Sequence, residues 1–269
     1  MRANQSGRAW GTHTLVLAGL VAATQTNAAD IPLSPVSQAR SINIRSEWNP
    51  NYFNHPPPTT LVDSAAASDF TLFQATRSLS IVDGIEHARS SATQDSQIGS
   101  YSIRGTGSGA SRAEGDSGGA AAAEGNSRFA LTFDLLEPTT WTIQGTLTYS
   151  DHFGNFNNIA RSFVSLSGPG GSGYFLQIPS GTLGTSVTFS SGGAFSAGRY
   201  TLSASALTSG NDFAVASNPG PDLASSYNFA FNIPEPALTP VLAGTALLLT
   251  GGKRRRRASE RGDTCSPRG

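Results

Sequence analysis

The sequence predicts a mainly β protein: an antiparallel β-sandwich or jelly roll, with an N-terminal signal peptide before it and one C-terminal transmembrane helix after it. Three observations predict this. Apolar and polar residues alternate at period two through the middle of the chain, as strands with one buried face require. Clusters of Gly, Pro, Asn and Asp punctuate that alternation, and no long helical periodicity appears between the termini. Two apolar runs, each beside basic residues, stand at the two ends of the 269-residue chain.

Composition narrows the function classes. Charged residues make up only 13% of the chain, about half of the roughly 25% usual in globular proteins. Gly (30), Ser (36) and Thr (25) are abundant instead. From Ala29 to Ile233 there are nine Arg and no Lys against ten Asp and five Glu, a net charge of −6. An acidic body of this kind excludes a nucleic-acid partner, which needs a basic surface. Cys265 is the only cysteine, so the body forms no internal disulfide and no cysteine-based metal site.

Residues 1–28 carry Arg2 and Arg8, the apolar run Leu15 to Ala23, and small residues before Asp30. A basic n-region, a short h-region and small residues at −3 and −1 are the requirements of a secretory signal peptide. Cleavage is expected after Ala28, leaving Ala29 or Asp30 as the first residue of an exported protein.

Residues 29–69 are rich in Pro, Ser and Asn, including Pro56-Pro57-Pro58, and are expected to be irregular, with at most one short strand. Residues 70–233 are expected to form the β-sandwich. Phe129, Leu131, Phe133 and Leu135 alternate with Ala130, Thr132 and Asp134. Trp141, Ile143, Gly145, Leu147 and Tyr149 repeat the pattern. Further strands are expected over Arg161–Ser167, Gly173–Ile178, Thr185–Ser190, Arg199–Ala206 and Tyr227–Ile233. Residues 105–126, with Gly105-Thr106-Gly107-Ser108-Gly109 and Ala120 to Ala123, offer little to bury and are expected to hold a Gly/Ala-rich loop.

The C-terminal region reads Pro234-Glu235-Pro236, then the apolar run Ala237 to Gly252, then Lys253-Arg254-Arg255-Arg256-Arg257. Sixteen helical residues reach about 24 Å, short of the ~30 Å hydrocarbon core, so snorkelling cations are needed to complete a tilted or thinned span. Five consecutive cations stop translocation and stay cytoplasmic, which leaves the acidic body on the far side. Residues 258–269 follow as a polar cytoplasmic tail. The two prolines disfavour helix just before the membrane and keep an extended segment exposed to a processing enzyme.

A Pro-Glu-Pro tripeptide, an apolar span and an Arg cluster, in that order at the end of an exported chain, resemble the PEP-CTERM protein-sorting domain of Gram-negative bacteria that make exopolysaccharide. The resemblance covers residues 234–257. It implies an exosortase-type processing enzyme as partner, with Pro234, Glu235 and Pro236 as the recognition element. It also implies that Ala237 to Gly252 is a temporary anchor in the inner membrane, and that Lys253, Arg254, Arg255, Arg256 and Arg257 are its stop signal. The strand pattern Ala197 to Ala206 is similar to one frequent in that group.

Two strings in the chain have catalytic precedent, and composition accounts for both. Gly115-Asp116-Ser117-Gly118-Gly119 matches the string around a serine-protease nucleophile and also G-x-S-x-G. Catalysis further needs a histidine base, a carboxylate and an oxyanion hole. His87 lies only thirty residues upstream and outside a protease histidine motif, so low-complexity composition is the better account. His13, His55, His87 and His152 show no metal-ligand spacing, and Gly105-x-Gly107-x-Gly109 is not a dinucleotide fingerprint. No metal, no cofactor and no enzymatic activity are expected.

One polar loop stands out, Asp151 to Asn158. Asp151, Phe153, Asn155 and Phe156 could stack on sugar rings or offer oxygens to a cation, although a hairpin loop needs the same Gly and Asn residues. The leading expectation is therefore a non-enzymatic protein of the cell surface or exopolysaccharide matrix. The alternative is a polysaccharide-binding module.

Overall fold

The structure is a computed structural model that describes residues 33–50, 57–84, 86–115, 119–152, 158–169, 173–178, 184–213, 220 and 222–235. The chain divides into a body, Ala29–Ala237, and a second unit of the terminal segments Met1–Ala28 and Leu238–Gly269. That second unit lies outside the described residues, and with it the predicted signal peptide and membrane span. Among the described residues no helix is long and apolar enough to cross a membrane.

Among the described residues twelve strands build the body: β1 Ser34–Asn49, β2 Thr59–Ala66, β3 Phe73–Asp83, β4 Glu86–Ile98, β5 Ser102–Glu114, β6 Ala120–Leu135, β7 Thr139–His152, β8 Ile159–Ser167, β9 Gly173–Ile178, β10 Thr185–Phe195, β11 Gly198–Phe213 and β12 Asp222–Asn232. They form two six-stranded sheets, sheet I with order β2-β1-β6-β11-β8-β9 and sheet II with order β10-β7-β12-β5-β4-β3. Every pairing is antiparallel. The sheets face each other, with β6 over β5 and β4, β1 over β4 and β11 over β5 and β12. Antiparallel sheets with one buried and one solvated face account for the period-two alternation.

Two expectations are corrected. The described part of residues 29–69 is not irregular: β1 is a 16-residue strand paired on both sides, and β2 follows it. Its inward face is Arg40, Ile42, Ile44, Ser46 and Trp48, all buried, while Ser41, Asn43, Arg45 and Glu47 face outward. The mixed chemistry of that inward face hides the alternation. The register shifts between Pro35 and Ser37, a bulge that accommodates a residue with no N–H to donate.

The Gly/Ala-rich loop expected within residues 105–126 is limited to the 115–119 connection, since the rest belongs to β5 and β6, near the centre of each sheet. The glycines fill a need for close approach. Gly105 and Gly107 lie opposite Phe229 and Tyr227 on β12, and a Cβ at either would meet that ring at 2.6 and 2.5 Å. A Cβ at Gly109 would strike the main chain of Gly125 on the facing sheet. Small residues here set the distance between layers, so their poverty of apolar surface does not argue against a strand.

The interior accordingly has two characters. One part is aromatic and aliphatic: Trp141 stacks on Phe195 at 5.1 Å, Phe195 lies 4.0 Å from Tyr200, and Phe133 lies 5.7 Å from Phe231. Each such side chain withdrawn from water contributes roughly 1.5–3 kcal/mol. The other part is built of small residues around Trp48, Ile42 and Ile44, with Ala88, Ala92, Ala113 and Ala121.

Candidate functional site

The Pro-Glu-Pro tripeptide follows closely on the last strand of the body. β12 is an interior strand, flanked by β7 and β5, and its ladder stops at Asn232. Ile233 is still buried, at 3% exposure, within the aromatic core. Its amide donates to the Tyr101 carbonyl at 2.9 Å. Pro234 and Glu235 follow at once and are exposed; proline has no N–H with which to continue the ladder. At the other terminus of the body, the Leu33 amide donates to the Ser100 carbonyl at 2.7 Å. Leu33 is buried in the same core. The chain therefore enters and leaves the sandwich at adjacent points on the β4–β5 turn.

Pro236, the basic residues Lys253, Arg254, Arg255, Arg256 and Arg257, and Ala28 and Ala29 at the expected cleavage site lie outside the described residues. So do Phe153, Asn155 and Phe156 of the polar loop. Asp151 belongs to strand β7, opposite Leu223 of β12, so the loop begins later than the composition suggests. Ser117 also lies outside the described residues. His87 is directly opposite Glu114 in the β4–β5 register, with Nε2 at 3.9 Å from a carboxylate oxygen, a juxtaposition that sequence spacing does not reveal. Among the described residues no group of three or more His, Cys, Asp or Glu could hold a metal ion.

Sequence reading also missed an open hollow of about 470 Å³ on sheet II, lined by Ser78, Ser80, Arg89, Ser91, Arg112 and Asp222 among others. Arg89 and Arg112 are direct cross-strand partners. Arg112 donates from Nε to Glu114 at 3.0 Å. Hydrogen bonding to Glu114 and the charges of Glu114 and Asp222 raise its pKa against a smaller opposing effect of desolvation. The charge of Arg112 is thus compensated, whereas the exposed Arg89 forms no ion pair with a described residue, and the hollow is a mixed polar surface. The only signal for it in the sequence is the recurrence of Ser and Arg at alternate positions of β4 and β5.

No family model matches the chain, and no curated protein matches it. Solved structures give distant likenesses. The enzymatically active domain of bacteriophage CBA120 tailspike protein 4 aligns with 60% of this chain at 10% identity and a TM-score of 0.23. The chain spans only 19% of that protein's length. A structure of infectious bursal disease virus, Gt strain, aligns with 82% of this chain and 75% of its own at 9% identity and a TM-score of 0.20.

Proposed function

We propose that this chain is an exported protein of the surface or exopolysaccharide matrix of a Gram-negative bacterium, sorted and cleaved through residues 234–257 and without a catalytic role. In this reading the signal peptide directs it through the inner membrane, and the C-terminal span holds it there until an exosortase-type enzyme acts at Pro234-Glu235-Pro236. The observation that carries the reading is the exit of the chain: a buried, hydrogen-bonded Ile233 followed immediately by exposed Pro234 and Glu235. A processing enzyme needs an extended segment free of secondary structure, held close to a folded body that need not unfold.

The test is replacement of Pro234-Glu235-Pro236 by alanines in a host that carries exosortase. Insertion is expected to persist and processing to stop, so the mutant stays at precursor mass and in the membrane. If the triplet mutant matures to the same C-terminus as the wild type, the sorting reading fails. A second reading, binding of polysaccharide, is favoured by a different observation: paired rings on the outer face of sheet I.

A further inference from the structure

We infer that the outer face of sheet I is a binding site for an acidic polysaccharide, a chain of carboxylate-bearing sugars, built on Phe163 and Phe175 with Arg128 and Arg161. The inference deepens the polysaccharide-binding reading and is independent of the sorting tail.

Strand parity places these residues. Ala160, Ser162, Val164 and Leu166 of β8 are buried between the sheets, so Arg161, Phe163 and Ser165 face outward. On β9 the outward residues include Phe175, 66% exposed, and Gln177. The register aligns Arg128, Ser205, Phe163 and Gln177 in one row across β6, β11, β8 and β9. Arg161 stands in the row on one side, opposite Leu207, and Phe175 in the row on the other, opposite Ser165. The two rings lie 6.4 Å apart at 32°. Ser205 is only 7% exposed although it points outward, so the side chains on either side of it close over it and make the surface continuous.

Charge selects the ligand. Arg45, Arg77, Arg112 and Arg199 are each paired with a carboxylate. Arg128 and Arg161 are exposed and form no ion pair with a described residue; the same holds of Arg89 and Arg104, but these stand on sheet II, away from the ring pair. Two uncompensated guanidinium groups beside the exposed ring of Phe175 and the half-buried ring of Phe163, in a body of net charge −6, mark the patch as a place for an anion that also has an apolar face. A uronate sugar has both: its C–H face stacks on an aromatic ring, and its carboxylate fits the guanidinium fork. Strand spacing and rise put the Cα atoms of Arg128 and Arg161 about 12 Å apart, so the pair suits successive carboxylates of a polymer. Ser165, Ser203 and Gln177 supply hydrogen-bonding groups for its hydroxyls.

The test uses the full-length chain in mild detergent, with polygalacturonate as the acidic probe, dextran as the neutral one, and titration calorimetry as the readout. Binding to polygalacturonate and not to dextran is expected, weakening with added salt. Phe175→Ala should weaken it roughly fivefold, and the double change Arg128→Gln and Arg161→Gln about tenfold or more. Arg45→Gln, which removes a paired cation from the same face, should leave it unchanged. Thermal melts check that the surface variants fold. Equal binding to both glycans overturns the acidic specificity while leaving polysaccharide binding; binding to neither overturns both. Unaltered affinity in Phe175→Ala overturns the location. Loss of a dimer in that variant, without polygalacturonate binding by the wild type, assigns the face to contact between copies of the chain.

Discussion

Arg40 of β1 reaches across the sandwich to Ser96 of β4, its Nη1 donating to both the main-chain oxygen and the hydroxyl at 3.3 Å. Arg40 is 1% exposed. Nη1 also donates to the Thr71 carbonyl at 2.8 Å, Nη2 to the Asp69 carbonyl and Nε to Gln38 at 3.1 Å. Burial lowers its pKa, and the nearby Asp69 carboxylate opposes that shift. One side chain thus ties both sheets to the β2–β3 connection, with its charge met by carbonyl oxygens.

Removing that side chain leaves several acceptors without donors in a buried place. Arg40→Met is expected to lower unfolding stability by about 2–4 kcal/mol, measured by urea denaturation. Arg40→Lys should recover only part, since one ammonium cannot occupy the spread of positions that the guanidinium fork serves. A midpoint unchanged from wild type would show that the contacts contribute nothing net.

Gly125 tests the close approach of the layers. A Cβ there would meet the Ser91 carbonyl oxygen of the other sheet and lie 2.7 Å from that of Ala110. Gly125→Ala is expected to cost about 2–3 kcal/mol, because main chain cannot rotate away as a side chain would. Gly84 is the contrast: its φ is +64°, with nothing within 4 Å of the added Cβ. Gly84→Ala should cost about 1–2 kcal/mol through the left-handed backbone alone, and Gly84→Asn less. Urea melts of the three variants separate the two causes.

Asp134 and Arg199 form a two-point pair across β6 and β11, with Nε–Oδ1 at 2.8 Å and Nη2–Oδ2 at 3.0 Å. The hydrogen bonds from Arg199 hold the Asp134 carboxyl below the usual carboxylate range. A depressed folded-state pKa gives stability that is present above the unfolded-chain value near pH 4 and is lost as pH falls through the lower folded value. The pair is exposed, so the effect is small and salt-sensitive. Asp134→Asn should flatten the acid limb of the stability profile below about pH 4 and leave neutral stability nearly unchanged; an identical acid limb would show that the pair is not formed in solution.

At the termini, neutralising Arg254 to Arg257 is expected to remove the translocation stop and the snorkelling cations together. The protein should slip through the membrane or lose its fixed orientation, detected by protease accessibility of the C-terminus. The mature N-terminus should be Ala29 or Asp30 by mass spectrometry; recovery of residues 1–28 on exported protein would refute cleavage after Ala28.

Ser117→Ala is expected to change no activity and to shift stability by less than ~0.5 kcal/mol. Loss of a measurable hydrolase activity in that variant would reinstate the catalytic reading of the Gly-Asp-Ser-Gly-Gly string.

Strands that bury large residues were legible in the sequence, because a Phe or Leu every second position has one low-energy arrangement, a sheet with one dry face. Phe129 to Leu135 and Trp141 to Tyr149 announce themselves in this way, and both lie in strands, β6 and β7. The Pro-Glu-Pro, apolar and basic order of the C-terminal region is likewise a property of the chain alone. Only the tertiary structure decided the rest. Whether Gly105, Gly107, Gly109 and Gly125 form loop or strand depends on what faces them, here the rings of Phe229 and Tyr227 and the main chain of the opposite sheet. Whether the Arg40 face of β1 is inside depends on carbonyl oxygens up to 56 residues away. Alternation fixes which residues share a face but not which face is buried when both carry apolar side chains. On β8 the packing of Val164 and Leu166 against sheet II left Phe163 outside, and β9 then set Phe175 beside it.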